Sequence, residues 1–229
     1  MNKQLLTAPL HTYGDAAALL SQIGILPLAP LIPEHPSLVS LTSADQWHTE
    51  LPTDPWGWRV RFPSSGAAAY GKFMKSKGVL IDRGWFPLVS AAVGGSGTVE
   101  QRYRDGLISK TARDIYNIVG QEEGIDTRRL RQASGMKAKE DKSAFDRAVT
   151  ELQGALDIVI SGIQQKVNEA GEVNGWSSTA YQSTERWMSQ HGLERDAQSK
   201  AKASEELVSR LEEVCTAKAL AFLRKTLSI

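Results

Sequence analysis

The pattern of apolar and polar positions is clearest between Ser109 and Gln182. From Ser143 to about Ala155 the residues Phe145, Ala148, Val149, Leu152 and Leu156 recur at helical spacing and mark one buried face. Ser143 with Asp146 three positions later resembles a capping box, with Asp in place of the usual Glu or Gln. Ser109 to Val119 carries a second helical pattern and Thr127 to Ala133 a shorter one, joined to the third helix by a polar connector. Leu156 to Val167 then reads as a strand, Asn168 to Gly175 as a polar turn, and Trp176 to Gln182 as a returning strand. Three helices and a two-stranded hairpin are the parts of a winged helix-turn-helix. In that arrangement the outward face of the third helix, here Asp146, Arg147, Thr150, Glu151 and Gln153, enters the major groove of DNA.

Upstream, Ala16, Leu19, Leu20 and Ile23 form a helix face ended by Gly24. Pro27, Pro30, Pro33 and Pro36 each remove a backbone donor, so the following segment is extended. Ser43 with Gln46 predicts a short helix from near Ala44 that stops before Pro52. Trp56, Trp58, Val60 and Phe62 alternate with Gly57, Arg59 and Arg61 and predict a half-buried strand, with a short helix after it around Ala67 to Met74. Leu80 to Trp85 leads into Pro87 to Val93, Gly94 to Gly97 is a flexible break, and Val99 to Leu107 reads as a short helix. Ser183 to Met188 is a helical turn. Gln190 to Lys202 is a polar linker, and Ser204 to Leu227 is one long amphipathic helix with Leu207, Leu211, Val214, Cys215 and Phe222 on its stripe. That stripe is expected to pack back on the body, with homodimerisation as its alternative use.

The fold class is therefore α+β and mostly helical, with tandem winged helix-turn-helix motifs and short β-hairpin wings. Residues 1–97 form an N-terminal, winged-helix-like, Trp-rich region. Residues 98–188 hold the winged helix-turn-helix domain, and 189–229 the linker and C-terminal helix.

Composition changes this picture in one respect. With 27 basic and 26 acidic residues among 229, the net charge is +1, so any nucleic-acid binding must come from a local patch. The one cysteine, Cys215, forms no internal disulfide and fits a reducing compartment. The apolar run before His11 is too short for a signal peptide or a membrane span, so a cytoplasmic protein with no membrane partner is expected. The strongest local charge is a cluster of Arg128, Arg129, Arg131, Lys137, Lys139, Lys142 and Arg147 against Asp126, Glu140, Asp141 and Asp146. Arg128, Arg129, Arg131, Lys137, Lys142 and Arg147 are candidates to hold phosphate, with Thr150 and Gln153 beside them on the third helix.

Trp47, Trp56 and Trp58 with Arg59 and Arg61 are candidate pocket residues, aromatics that stack an extruded base beside cations that hold phosphate. Trp is equally the largest core residue. His48 beside Glu50 or Asp54 offers a weak general-base arrangement. The sequence contains no HExxH and no Cys/His cluster, so no metal is expected. Ser64-Ser65-Gly66 and Gly94 to Gly97 lack the residues of nucleotide loops, so no cofactor is expected either.

The run Ala18 to Ala29, the segment Asp45 to Phe62, Asp82 to Leu88 and the unit Ser109 to Gln182 together resemble the winged-helix DNA glycosylases of the AlkZ type, and more closely their short AlkZ-related relatives. The resemblance covers roughly residues 15–188. It implies tandem winged helices around a DNA-binding channel and excision of alkylated or cross-linked bases. It also implies a catalytic Gln, any residue, then Gln or Asp, soon after the Gly that ends the first helix. The matching stretch is Gly24 to Pro30, where Pro27 and Ala29 stand at the catalytic places, and neither can bind a water. No such motif occurs elsewhere in the chain; the nearest substitute is Gln46 with His48. The expected function is double-stranded DNA binding without the family's catalysis. A glycosylase using Gln46 and His48, and a protein-interaction module, are the alternatives.

Overall fold

The first helix of the computed structural model, which describes residues 8–165, 175 and 177–229, is started by an exchange of hydrogen bonds. The Thr12 hydroxyl accepts the Asp15 N–H at 3.2 Å and the Asp15 carboxylate accepts the Thr12 N–H at 2.8 Å. Helix α1 runs Tyr13–Ile23, and Gly24 ends it at φ 74°. The chain continues through β1 (Ile25–Pro27), α2 (Leu38–Leu41), a 3-10 turn (Ala44–Gln46), α3 (Pro55–Ser65) and the hairpin β2 (Ala68–Met74) and β3 (Lys77–Asp82). After α4 (Phe86–Val93) and α5 (Val99–Arg104) the same order returns. It comprises α6 (Lys110–Gln121), β4 (Ile125–Asp126), α7 (Thr127–Ala133), α8 (Lys142–Gly154) and the hairpin β5 (Ile158–Gln164) and β6 (Ser178–Ser183). Helix α9 (Thr184–Gln190) follows the second hairpin as α4 follows the first, and α10 (Lys200–Val214) and α11 (Ala217–Leu227) close the chain. Of the expected turn Asn168 to Gly175, residues 168–174 lie outside the described residues, as do 166, 167 and Trp176.

The repeat extends to strand pairing. β1 pairs antiparallel with β3, and β4 with β6, so in each half the lone strand joins the second strand of the hairpin. The halves meet where Tyr70 of β2 faces Ile160 of β5. The result is one six-stranded sheet of order β1-β3-β2-β5-β6-β4, which has the same arrangement read from either end. The Gly94–Gly97 break falls between the halves, and the sheet spans it.

Both faces of the sheet are covered, which explains why its strands read as continuous apolar runs instead of alternating ones. Leu26, Tyr70, Leu80, Ile158 and Ile160 pack under α1, α3, α6, α7 and α8. Their neighbours Ile25, Ala69, Val79, Ile81 and Val159 point the other way, under α4, α9, α10 and α11. Phe86 of α4 and Trp187 of α9, at corresponding places in the two halves, meet edge to face with ring centroids 5.4 Å apart.

Two expectations fail together in the first half. The Trp56 to Phe62 stretch is helix α3, not a strand, and Ala67 to Met74 is strand β2, not a helix. Asp54 accepts the Trp56 N–H at 2.8 Å and Pro55 occupies the first helical turn, a start signal that outweighs the accidental two-residue period. Trp58 and Phe62, four apart, form the buried stripe. Lys75 and Ser76 close the β2–β3 hairpin at φ 46° and 58°. That turn normally takes Asn-Gly, so its residues carry no turn signal. The helix expected from Ala44 is only the 3-10 turn, while the four-residue α2 has no counterpart in the sequence pattern.

The long helix expected over Ser204 to Leu227 is divided. Cys215 is extended, and Thr216 caps a fresh start by accepting the Ala219 N–H at 3.2 Å. Leu207 and Leu211 are fully buried, as are Ala219 and Leu223. The stripe is consumed inside the chain, and this burial gives no support to a homodimer through it. Burial also pushes the Cys215 thiol up to about 11, which keeps it a packing residue. No helix among the described residues is long and apolar enough to cross a membrane.

Candidate nucleic-acid interface

The connector between α7 and α8 sets the shape of the basic face. Asp126 caps α7 by accepting the Arg128 N–H at 2.7 Å, and the Arg128 guanidinium lies 3.5 Å from the same carboxylate. Arg129 pairs with Glu122. Arg131 folds back along the connector and donates to three carbonyls, Met136 at 2.9 Å, Lys137 at 3.3 Å and Ala138 at 2.6 Å. Its donors hold the loop, so Arg131 supports the face and does not present a charge from it. Helix α8 starts at Lys142, and Asp146, expected in a capping box with Ser143, instead takes the Lys142 ammonium at 2.7 Å.

Gln153 corrects the outward face read from the sequence. It is 1% exposed. The register shift in β2 between Gly71 and Met74 lies beside the Lys72 N–H, and the Gln153 carbonyl accepts that N–H at 2.8 Å while its amide donates to Val149 at 3.1 Å. Gln153→Leu is expected to destabilise the protein by about 1–3 kcal/mol, the cost of a buried donor left unpaired. Urea unfolding measures this, and a variant as stable as the parent would deny Gln153 its structural role.

Lys137, Lys139 and Arg147 are exposed, and their side chains make no ion pair or hydrogen bond among the described residues. Lys139, Lys142, Arg147 and the half-buried Thr150 line one side of an open hollow of about 620 Å³. Ser76, at the tip of the β2–β3 hairpin, lines the other. The charge pattern includes Lys139 in the cluster but does not show that Ser76 stands across from it.

The Trp-rich segment is organised by Asp54. Burial raises its carboxyl pKa, but backbone N–H groups of Trp56, Glu50 and His48 outweigh burial and hold it below its ordinary value. The carboxylate therefore grips the His48 backbone at 3.1 Å rather than the imidazole. Trp58 is buried with its indole N–H on Pro52 O at 2.9 Å, and Trp47 is half-buried on Thr42 Oγ1 at 2.9 Å. Trp56 is 43% exposed, with the Arg59 guanidinium 3.5 Å over one face and the His48 ring 5.1 Å away. Arg61 lies 4.0 Å over the Tyr13 ring. The segment thus brings Trp56, Arg59 and His48 together and places Trp58 in the core. The Gln46 carbonyl accepts the Ser43 N–H at 3.2 Å. Pro27 is buried in β1 opposite Val79, and Ala29 is exposed.

These features define an α+β protein in which two halves of like order share one antiparallel sheet, with the exposed cations Lys137, Lys139 and Arg147 on the connector and helix of the second half. The chain belongs to the AlkZ-related family, whose model matches residues 10–228. Comparison with curated proteins and with solved structures returned no match.

Proposed function

We propose that this chain binds double-stranded DNA as a tandem winged helix-turn-helix protein, and that it lacks the base-excising pair of the AlkZ-type glycosylases to which its family is related. Family membership supports a DNA-glycosylase-like relation. The order helix, strand, helix, helix, hairpin, with the lone strand joined to the hairpin's second strand, occurs twice and supports the tandem winged helix-turn-helix reading. In the second half α8 takes the place of the recognition helix. The observation that carries the reading is Arg147 on that helix with Lys137 and Lys139 before it, three exposed cations without side-chain partners among the described residues. Arg128, Arg129 and Lys142 add charge that is partly compensated by Asp126, Glu122 and Asp146. In the catalytic stretch, Pro27 and Ala29 offer no group to activate water.

Fluorescence anisotropy tests this with plain, abasic and alkylated duplexes and a single strand, over a range of salt. Salt-dependent binding to duplex is expected, without release of an alkylated base. Lys139→Gln with Arg147→Gln is expected to flatten the plot of log affinity against log salt by about 2, because each phosphate that a cation neutralises adds roughly 0.9 to the slope. Absence of binding at low salt, or base release from the alkylated duplex, would overturn the corresponding half of the proposal.

A further inference from the structure

Another cleft, of about 640 Å³, lies at the far end of α8, where that helix stops before Ala155. Its walls come from the link between α4 and α5, from Tyr116 and Asn117 of α6, from the start of α9, and from residues 195–200. The ionised side chains along it are already engaged. Asp157 pairs with Arg102, Glu185 lies 3.3 Å from Arg195, and Glu100 lies 3.6 Å from both Arg104 and Arg113. The Lys200 ammonium donates to Gly94 O at 3.0 Å, and Asp196 accepts the Gln198 N–H at 2.9 Å. The neutral groups are in the opposite condition. Ser90 of α4 lines the cleft and is only 9% exposed. Its hydroxyl makes no hydrogen bond to the described residues, not even to the carbonyl four positions back that a helical serine often takes. Nor is Ser90 Oγ sealed in: the enclosed, unpaired side-chain atoms among the described residues are Arg59 Nε, Arg102 Nε and Asp157 Oδ2. The Tyr116 hydroxyl and the Asn117 amide also lack partners among the described residues, as do the backbone N–H groups of Ser96 and Gly97.

We infer that this cleft binds a small uncharged molecule bearing several ring hydroxyls, with Ser90, Tyr116, Asn117 and the Ser96–Gly97 backbone supplying its hydrogen bonds. Hydroxyl and amide side chains both donate and accept, and so do the hydroxyls of a sugar ring, so each can satisfy the other in either direction. An ionic ligand would have to pull apart pairs that the protein has already formed. A neutral one leaves those pairs standing as walls of fixed geometry. Val99 and Leu156, both buried and both on the lining, supply apolar surface for the C–H face of a ring. The volume is that of an ordinary small-molecule site. A free sugar and the sugar of a nucleoside share this chemistry. Lys139, Lys142 and Arg147 do not line the cleft, so the inference stands apart from the DNA-binding reading.

The test titrates the isotope-labelled full chain with D-glucose, D-ribose and uridine, and with spermidine and citrate as charged counterparts, while its amide resonances are followed. Saturable shifts at Ser96, Gly97 and Asn117 are expected with at least one neutral probe, and none with the charged ones. Binding of glucose or ribose identifies a free sugar as the ligand, and binding of uridine alone a nucleoside. Ser90→Ala and Tyr116→Phe are each expected to weaken that binding by about fivefold, the worth of one hydrogen bond. Neither should lower the midpoint of urea unfolding, because neither hydroxyl has a partner to lose among the described residues. No saturable shift with any neutral probe overturns the inference, and so does saturable binding confined to spermidine or citrate. If both variants bind the neutral probe as tightly as the parent, the ligand sits elsewhere and the inference is likewise overturned.

Discussion

Arg102→Met is expected to destabilise the protein by about 3–5 kcal/mol, the cost of leaving a buried charge without its partner. Arg102 of α5 and Asp157, at the junction of α8 and β5, form an ion pair with side-chain exposures of 6% and 13%. The pair is incompletely satisfied, because Arg102 Nε and Asp157 Oδ2 have no hydrogen-bond partner. Burial raises the Asp157 pKa, and Arg102 opposes that rise. Removing the guanidinium leaves burial opposed only by the charge of Arg195, so the carboxyl takes up a proton at a still higher pH. The loss is therefore greatest at neutral pH, where the lone carboxylate is charged, and shrinks as pH falls and Asp157 is neutralised. Arg102→Met with Asp157→Leu is expected to recover most of the stability, since well-packed apolar groups replace an underpaired buried pair at little cost. Chemical unfolding at two pH values measures both effects. A single variant with the parent's stability, or a double variant no better than the single one, would count against this account.

This ion pair also shows why part of the fold was not legible in the sequence. It ties the segment between the halves to the second half, and it demands Gly95, where an added Cβ would lie 2.1 Å from the guanidinium. In the sequence Gly95 is only one glycine of a flexible break. Length helped but did not suffice: α6, α7, α8 and the hairpin β5–β6 lie close to where the pattern put them, whereas α3 and β2, of similar length, were exchanged because an accidental two-residue period masked the helix start at Asp54 and Pro55. Strands β1 and β4, with three and two residues, are too short to show a period, and α2 is a single turn. Without those short elements the duplication could not be traced step by step along the sequence.

The candidate site was legible as a charge count and not as a surface. Arg131 and Gln153 have the composition of an interface, but the structure uses their hydrogen-bonding groups to hold a connector and to satisfy β2. Nothing local in the sequence signals the use of Gln153, because its partner Lys72 is 81 positions away. The place of Ser76 beside the second half was hidden for a related reason: with β2 read as a helix, there was no hairpin to carry it there.

Gly24→Ala is expected to destabilise the protein by about 2–5 kcal/mol, through its backbone conformation and its packing against Trp85. Gly24 has φ 74°, a conformation costing a side-chain-bearing residue about 1–2 kcal/mol. An added Cβ would also lie 2.2 Å from Cδ2 of Trp85 and 2.5 Å from two further ring atoms, so the buried indole must shift, and overpacking of this kind costs about 1–3 kcal/mol. The surroundings resist the shift. Gly24 donates to Leu20 O at 2.8 Å and its carbonyl accepts the Asp82 N–H at 2.9 Å, which fixes its backbone between α1 and β3. A thermodynamic cycle with Trp85→Leu, read by chemical unfolding, divides the two costs. Gly24→Ala is expected to cost less in the Trp85→Leu background, where the indole is gone; strict additivity would assign the whole loss to backbone strain. Both costs belong to the fold and neither to catalysis, so the glycine that opens the stretch Gly24 to Pro30 is required by its own conformation and by Trp85. Gly24 is therefore accounted for by the fold alone, whatever follows it at the buried Pro27 and the exposed Ala29.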